Sequence, residues 1–298
     1  MKTISNILFA GLSWEERSFL GIKEDCKHFN QTKKVFLFVN ISGSHDENQN
    51  KAKIQEYCKK KHIHFELVEL NYEDPFFTWK RLESLVDGNH KSLKKPVVDI
   101  STIPREVIWT LIFFLRKYCT RVDCIYHSPK KYTKKWLSKE PKSPRLLLKH
   151  SGISEFNKPT AVLLITGFDE IRTRKLVDYY EPKLMVLGIQ QGNQFENKVR
   201  NSKEKHLSAI KGQTDLKTFT IDAFSKDFGL SIINSEIKKL KEKYNIIACS
   251  QGPKPTSIAL YKSQLSHSYV ALCYVPSGDF SREYSFGIDR SYKYELDF

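Results

Sequence analysis

The sequence predicts an α/β protein built from two parallel-sheet halves. Three observations carry this. Apolar runs of strand length alternate with stretches of helix length along the chain. The same set of features occurs twice, in the same order. A segment rich in Lys, Pro and Ser, residues 128–160, separates the two sets.

Strands covered on both faces read as continuous apolar runs, and parallel strands joined through helices are covered that way. In the first half such runs lie near 5–11, 34–41, 63–70, 96–101 and 121–127. Helical stretches fall between them, near 14–28, 46–60, 75–87 and 104–118. In the second half strands are expected near 161–167, 183–190, 216–221, 245–250 and 268–275. Helices are expected near 169–180, 195–210 and 230–243, with a further one after Pro253. This alternation is that of a Rossmann-like fold. The halves are assigned to 1–152 and 153–298. The stretch "RLLLKHS" (Arg145–Ser151) is expected as a late edge strand of the first half, and the tail from Gly278 as a similar hairpin of the second.

The repetition is specific enough to predict an internal duplication. "ILFAGLSWEERS" from Ile7 parallels "VLLITGFDEIRTR" from Val162, with Gly11 matching Gly167. "VFLFVNISGSHDEN" parallels "LMVLGIQQGNQFEN": Gly43, Glu47 and Asn48 match Gly192, Glu196 and Asn197. "DISTIPREVIWTLIFFL" parallels "ACSQGPKPTSIALY": Ser101, Pro104 and Arg105 match Ser250, Pro253 and Lys254 at the same offset. Cys124 matches Cys273 in the strand that follows each turn.

Composition narrows the function. The chain has 298 residues and a formal net charge of +15, a field that attracts polyanions. Nucleic acid, nucleotides or an acidic protein are the partner classes, against the plainer reading of a lysine-rich solvated surface. The six cysteines are scattered with no CxxC pair, and no histidine cluster completes a zinc site, so no metal is expected. Reduced thiols imply a cytoplasmic protein. No apolar run reaches the roughly 18 residues of a membrane span. There is no GxGxxG, Walker P-loop, HExxH or nucleophile elbow, so no cofactor is expected and enzymatic activity is left open.

The turn after the fourth strand is where chemistry is expected. In open α/β sheets, ligands bind beyond the carboxyl ends of the strands where the strand order reverses. Gly11 and Gly167 end the first strands there. Ser101, Thr102 and Arg105 follow the fourth strand of one half, and Ser250, Gln251, Gly252 and Lys254 that of the other. Each turn opens a helix, whose free N–H groups favour an anion. Hydroxyls and a basic residue would complete a phosphate site. The competing reading makes Ser101 or Thr102 an N-cap and Pro104 an ordinary helix-start proline.

The pattern D-x-S-x-x-x-R, Asp99 to Arg105, resembles the signature after the fourth strand of CARF domains, the CRISPR-associated Rossmann folds. "CSQGPKPTSIALY" looks like the glycine-rich version of the same turn. Ala248 departs from it, standing where the signature has Asp or Asn. CARF domains bind cyclic oligoadenylates or related messengers, and tandem CARF-like halves resemble the SAVED sensors of antiphage signalling. The resemblance implies a sensor or regulatory subunit. It would bind a cyclic oligonucleotide in a composite basic pocket between the halves and act through a separate effector. The alternatives are a nucleic-acid-binding subunit of a defence complex and a ring-nuclease-like enzyme that degrades its ligand.

Further residues complete the expectation. Ser13 either caps the first helix, in a capping box with Glu16, or joins Trp14 and Arg17 on the pocket rim, where Trp14 would stack a base. Asp169, after Phe168, takes the corresponding place in the second half. Lys130, Lys131, Tyr132, Lys134, Lys135 and Trp136 interleave cations with rings, a pattern suited to nucleic acid and equally to a solvated linker.

Overall fold

The computed structural model describes residues 7–29, 31–43, 45–192, 201–212 and 214–298. The chain forms two compact units. The first comprises Met1–Leu137 with Ser281–Phe298, and the second Ser138–Phe280.

The first unit is built on β1 (Ile7–Gly11), β2 (Lys34–Asn40), β3 (His64–Leu70), β4 (Val97–Asp99) and β5 (Arg121–His127). These strands are parallel, in the order β5-β4-β1-β2-β3. They alternate with α1 (Glu16–His28), α2 (Asn48–Lys60), α3 (Pro75–Asn89) and α4 (Arg105–Leu115). Every residue of β1 is buried. Leu8 and Ala10 face a core with Ile22 and Cys26 of α1, Ile54 of α2, and Val35 and Leu37 of β2. Phe9 points the other way and stacks on Phe36 at 5.2 Å between ring centroids. Full burial of such side chains stabilises by about 1.5–3 kcal/mol each. Asp74 caps α3 by accepting from the N–H groups of Phe76 and Phe77.

The edge of this sheet comes from the far end of the chain. β16 (Ser291–Asp297) pairs antiparallel with β5 along its whole length, from Ser291 opposite His127 to Asp297 opposite Arg121. Two short strands, β6 (Lys131–Tyr132) and β15 (Ser285–Phe286), pair beside it.

The second unit repeats the strand order. Its parallel strands are β9 (Thr160–Ile165), β10 (Leu184–Gln190), β11 (Asp215–Ile221), β12 (Asn245–Ser250) and β13 (Ala271–Tyr274), ordered β11-β10-β9-β12-β13. Its helices are α5 (Glu170–Tyr180), α6 (Lys203–Ala209), α7 (Leu230–Leu240) and α8 (Pro255–Ser266). An antiparallel strand again closes the β13 edge: β8 (Arg145–Leu146), with Leu146 opposite Cys273. β7 (Ser138–Pro141) pairs with β14 (Ser277–Phe280).

The α/β class and the two Rossmann-like sheets therefore stand as expected. The assignment of the connecting segments differs. "RLLLKHS" supplies β8 of the second sheet, not an edge of the first, and the tail beyond Ser281 belongs to the first unit. The expected join at 152–153 falls inside the second unit. Both differences have one cause: backbone pairing across β13–β8 and β5–β16 decides membership, and neither partner is near in sequence. The predicted helix at 195–210 is seen as α6; residues 193–200, with Glu196 and Asn197, lie outside the described residues.

Candidate functional site

In the first unit the strand order reverses between β1 and β4, and the predicted residues gather there. Gly11 is buried, and a Cβ on it would stand 2.9 Å from Thr102 Oγ1. The absent side chain lets the turn after β4 lie against the end of β1. Thr102 Oγ1 then donates to the Gly11 carbonyl at 2.8 Å. Ser101 is 1% exposed, and its N–H and hydroxyl both donate to Asp99 Oδ1, at 2.8 and 2.5 Å. Ser101 Oγ also accepts from the N–H of His127. The D-x-S pattern thus makes a closed turn that joins β4 to β5. Thr102 and Arg105, the first residue of α4, are half-buried.

Ser13 does not form the predicted capping box. Its Oγ accepts from the Glu15 N–H, while Glu16 accepts from Gly287 instead. Trp14 stacks on His45 at 3.9 Å and donates its indole N–H to the Ser281 carbonyl. Arg17 is buried in a network. Its guanidinium pairs with Glu15 at 2.7 Å and donates to Ser285 Oγ at 3.1 Å and to the His127 carbonyl at 2.9 Å. Burial works against its charge, but Glu15, together with Tyr126 and Tyr132, raises the guanidinium above its ordinary pKa.

Below this network is a group that linear spacing conceals. Asp25 of α1, Asp99 of β4 and His127 of β5 converge, all buried. His127 Nε2 lies 3.1 Å from Asp25 Oδ1, and its Nδ1 lies 2.7 Å from Ser291 Oγ of β16. Burial pushes the Asp25 carboxyl up to about 7, against the hydrogen bond from His127. Burial disfavours the His127 charge, but the bond to Asp25 and the charges of Asp99 and Asp25 hold the imidazole up, at about 9.

In the second unit the reversal lies between β9 and β12. Gly167 is required by close backbone approach: a Cβ there would meet the Gln251 carbonyl at 2.0 Å. Gly252 faces Gln190 at the end of β10, where a Cβ would stand 2.7 Å from Gln190 Nε2. The carboxamide N and O of Gln190 and of Gln251 are buried without a hydrogen-bond partner among the described residues. Gln190 was not foreseen, because a glutamine closing an apolar strand carries no motif. Ser250 Oγ is buried against Thr256 Oγ1 at 2.9 Å, so its hydroxyl is used internally. Lys254 is half-buried at the N-cap of α8. Asp169 is the N-cap of α5, accepting from Ile171 and Arg172 N–H groups, and it pairs with the Arg172 side chain at 3.1 Å. His206 bridges Thr173 and the Gly167 carbonyl, and burial lowers its pKa.

The Lys and aromatic segment is folded rather than a free linker. Lys131 lies over the Phe286 ring, Tyr132 meets Tyr284 edge to face, and Lys135 pairs with Glu283. Lys130, Lys131, Lys134 and Lys135 are exposed, whereas Tyr132 and Trp136 are half-buried. No helix among the described residues is long and apolar enough to cross a membrane.

No family model and no curated protein matches the chain. Among solved structures, one similar chain is an N-terminal ketoreductase from a macrolactin assembly line, at 9% identity and a TM-score of 0.30. The match covers 90% of this chain and 69% of that one. Another is the cytoplasmic domain of a prokaryotic cation chloride cotransporter, at 7% identity and a TM-score of 0.30, covering 92% and 95% respectively.

Proposed function

We propose that the chain is a sensor or regulatory subunit that binds a nucleotide second messenger at the carboxyl ends of its parallel strands. A cyclic oligonucleotide is the favoured class. The observation that carries this reading is the pair of carboxamides at the switch point of the second unit. Buried polar groups are normally satisfied, and leaving one unmet costs about 1–3 kcal/mol. Gln190 and Gln251 each offer a donor and an acceptor there, the complement of a nucleobase edge. Lys254 and the opening turn of α8 stand beside Gln251 in sequence, ready for a phosphate. Thr102 and Arg105 hold the corresponding place in the first unit.

The resemblance of Asp99 to Arg105 to the CARF signature supports an antiviral setting, with a separate effector protein as partner. Six free, buried cysteines suit a reducing cytoplasm. A thermal-shift screen with cyclic and linear oligonucleotides, and mononucleotides as controls, tests the reading. Ligand at about a hundred times its dissociation constant adds roughly 2.7 kcal/mol. The shift should vanish in the double variant Arg105→Ala, Lys254→Ala. Cooperative melting unmoved by every nucleotide would refute it. Mass spectrometry of the incubated ligand separates a sensor from an enzyme that opens the ring.

A further inference from the structure

Asp25, Asp99 and His127 each present a ligand atom to one small region of the first unit, all within 4.8 Å of one another. The three residues are 2%, 1% and 0% exposed. Three features go beyond what a buried ion pair requires. Asp25 Oδ2 and Asp99 Oδ2 have no hydrogen-bond partner among the described residues, although an ionised carboxylate out of water needs one. Asp99 and His127 are also held from outside the cluster. Asp99 Oδ1 accepts from Ser101 N and Oγ, and His127 Nδ1 is 2.7 Å from Ser291 Oγ. Metal ligands are oriented in this way, with the second imidazole nitrogen and the second carboxylate oxygen bonded outward. Finally, α1 passes this point with a glycine. A Cβ on Gly21 would stand 2.7 Å from Asp99 Oδ2 and 3.4 Å from His127 Nε2.

Charge decides the class of occupant. With both carboxylates ionised, even a cationic imidazolium leaves the cluster at minus one. Arg17 does not supply the balance, because Glu15 is paired with it at 2.7 Å. A divalent cation on the neutral imidazole brings the cluster to zero. We propose that Asp25, Asp99 and His127 bind one divalent transition-metal cation of the zinc class. Imidazole with carboxylate suits zinc, whereas magnesium and calcium favour oxygen ligands and retained water. The proton that His127 Nε2 shares with Asp25 leaves to solvent as the cation binds. Three protein ligands leave a fourth position to water, and the cation ties α1 to the ends of β4 and β5 and, through Ser291, to β16.

The test is calorimetric titration of the chelator-treated full chain with Zn2+, with Mg2+ as control and the visible absorption of Co2+ as a second readout. All four tryptophans, Trp14, Trp79, Trp109 and Trp136, lie in the first unit, so their fluorescence in urea reports its stability. The proposal expects one zinc per chain and a higher urea midpoint with zinc. Asp25→Asn and Asp99→Asn should each weaken binding by more than about tenfold, and Ser291→Ala by about 10–100-fold. Should the Asn variants fail to fold, Ser291→Ala still decides, since it removes an outer partner only. No zinc binding by the wild-type chain would overturn the proposal and leave a proton as the occupant. Undiminished binding in all three variants would place the zinc elsewhere and overturn it equally. Neither readout needs a nucleotide, so this test and that of the messenger reading fail independently.

Discussion

Replacing Arg17 with Met should destabilise the first unit more than most single substitutions. The guanidinium is 3% exposed, and Glu15, its partner, is 9% exposed. Met keeps the aliphatic stem but removes the donors to Glu15, Ser285 and the His127 carbonyl. It leaves the Glu15 carboxylate buried with, among the described residues, the Ser285 hydroxyl against it. Breaking a buried pair from one side costs about 3–5 kcal/mol. With a urea dependence of about 1–3 kcal/mol per molar, the tryptophan-detected midpoint should fall by roughly 2 M. The double variant Glu15→Gln, Arg17→Met carries no charge at either of these two positions. Its cost should fall short of the summed single costs by about 0.5–3 kcal/mol. A single variant within about 0.5 kcal/mol of the wild type, or strictly additive costs, would refute the view that this pair is a coupled, desolvated unit.

Other outcomes follow from the same reasoning. Gln190→Met should bind no nucleotide yet stabilise the second unit by about 1 kcal/mol, because it removes an unmet buried amide; circular dichroism melting and ligand titration read the two effects. Asp169→Ala should cost about 0.5–2 kcal/mol through the lost cap of α5, and Asp169→Asn should restore most of it. Burial pushes Glu47 up to about 7 from its ordinary 4.5, so its neutral form favours the folded state. Its contribution is present below about pH 4.5 and lost as pH rises through about 7, and Glu47→Gln should flatten that part of the urea-midpoint profile. Burial pushes Cys26 up to about 12 and Cys58 and Cys119 up to about 11, so maleimide should label these thiols only after unfolding.

The parallel strands were legible because each is covered on both faces and so reads as an unbroken apolar run. β1 (ILFAG) and β9 (TAVLLI) show it plainly. The edges were not. β16 alternates aromatic or apolar with charged residues, so SYKYELD reads as a solvated tail until its pairing with β5 is known. β8 has two residues, too few for any period. At the candidate sites, the repeated turns were visible from Gly11, Ser101 and Arg105 and from Gly167, Gly252 and Lys254. Their internal roles were hidden: Ser101 and Ser250 spend their hydroxyls on Asp99 and Thr256. Asp25, Asp99 and His127 lie far apart in the chain; the β4–β5 pairing joins Asp99 to His127, and the packing of α1 at Gly21 brings Asp25 to them.

The most direct test of messenger binding is hydrogen exchange with a saturating cyclic oligonucleotide, chosen by the thermal-shift screen. Messenger binding should slow exchange in 101–106, in 250–256 and around Gln190, with little change in α2 or α3. Protection confined to the exposed lysine segment 130–135, or absent at all of these turns, would contradict it.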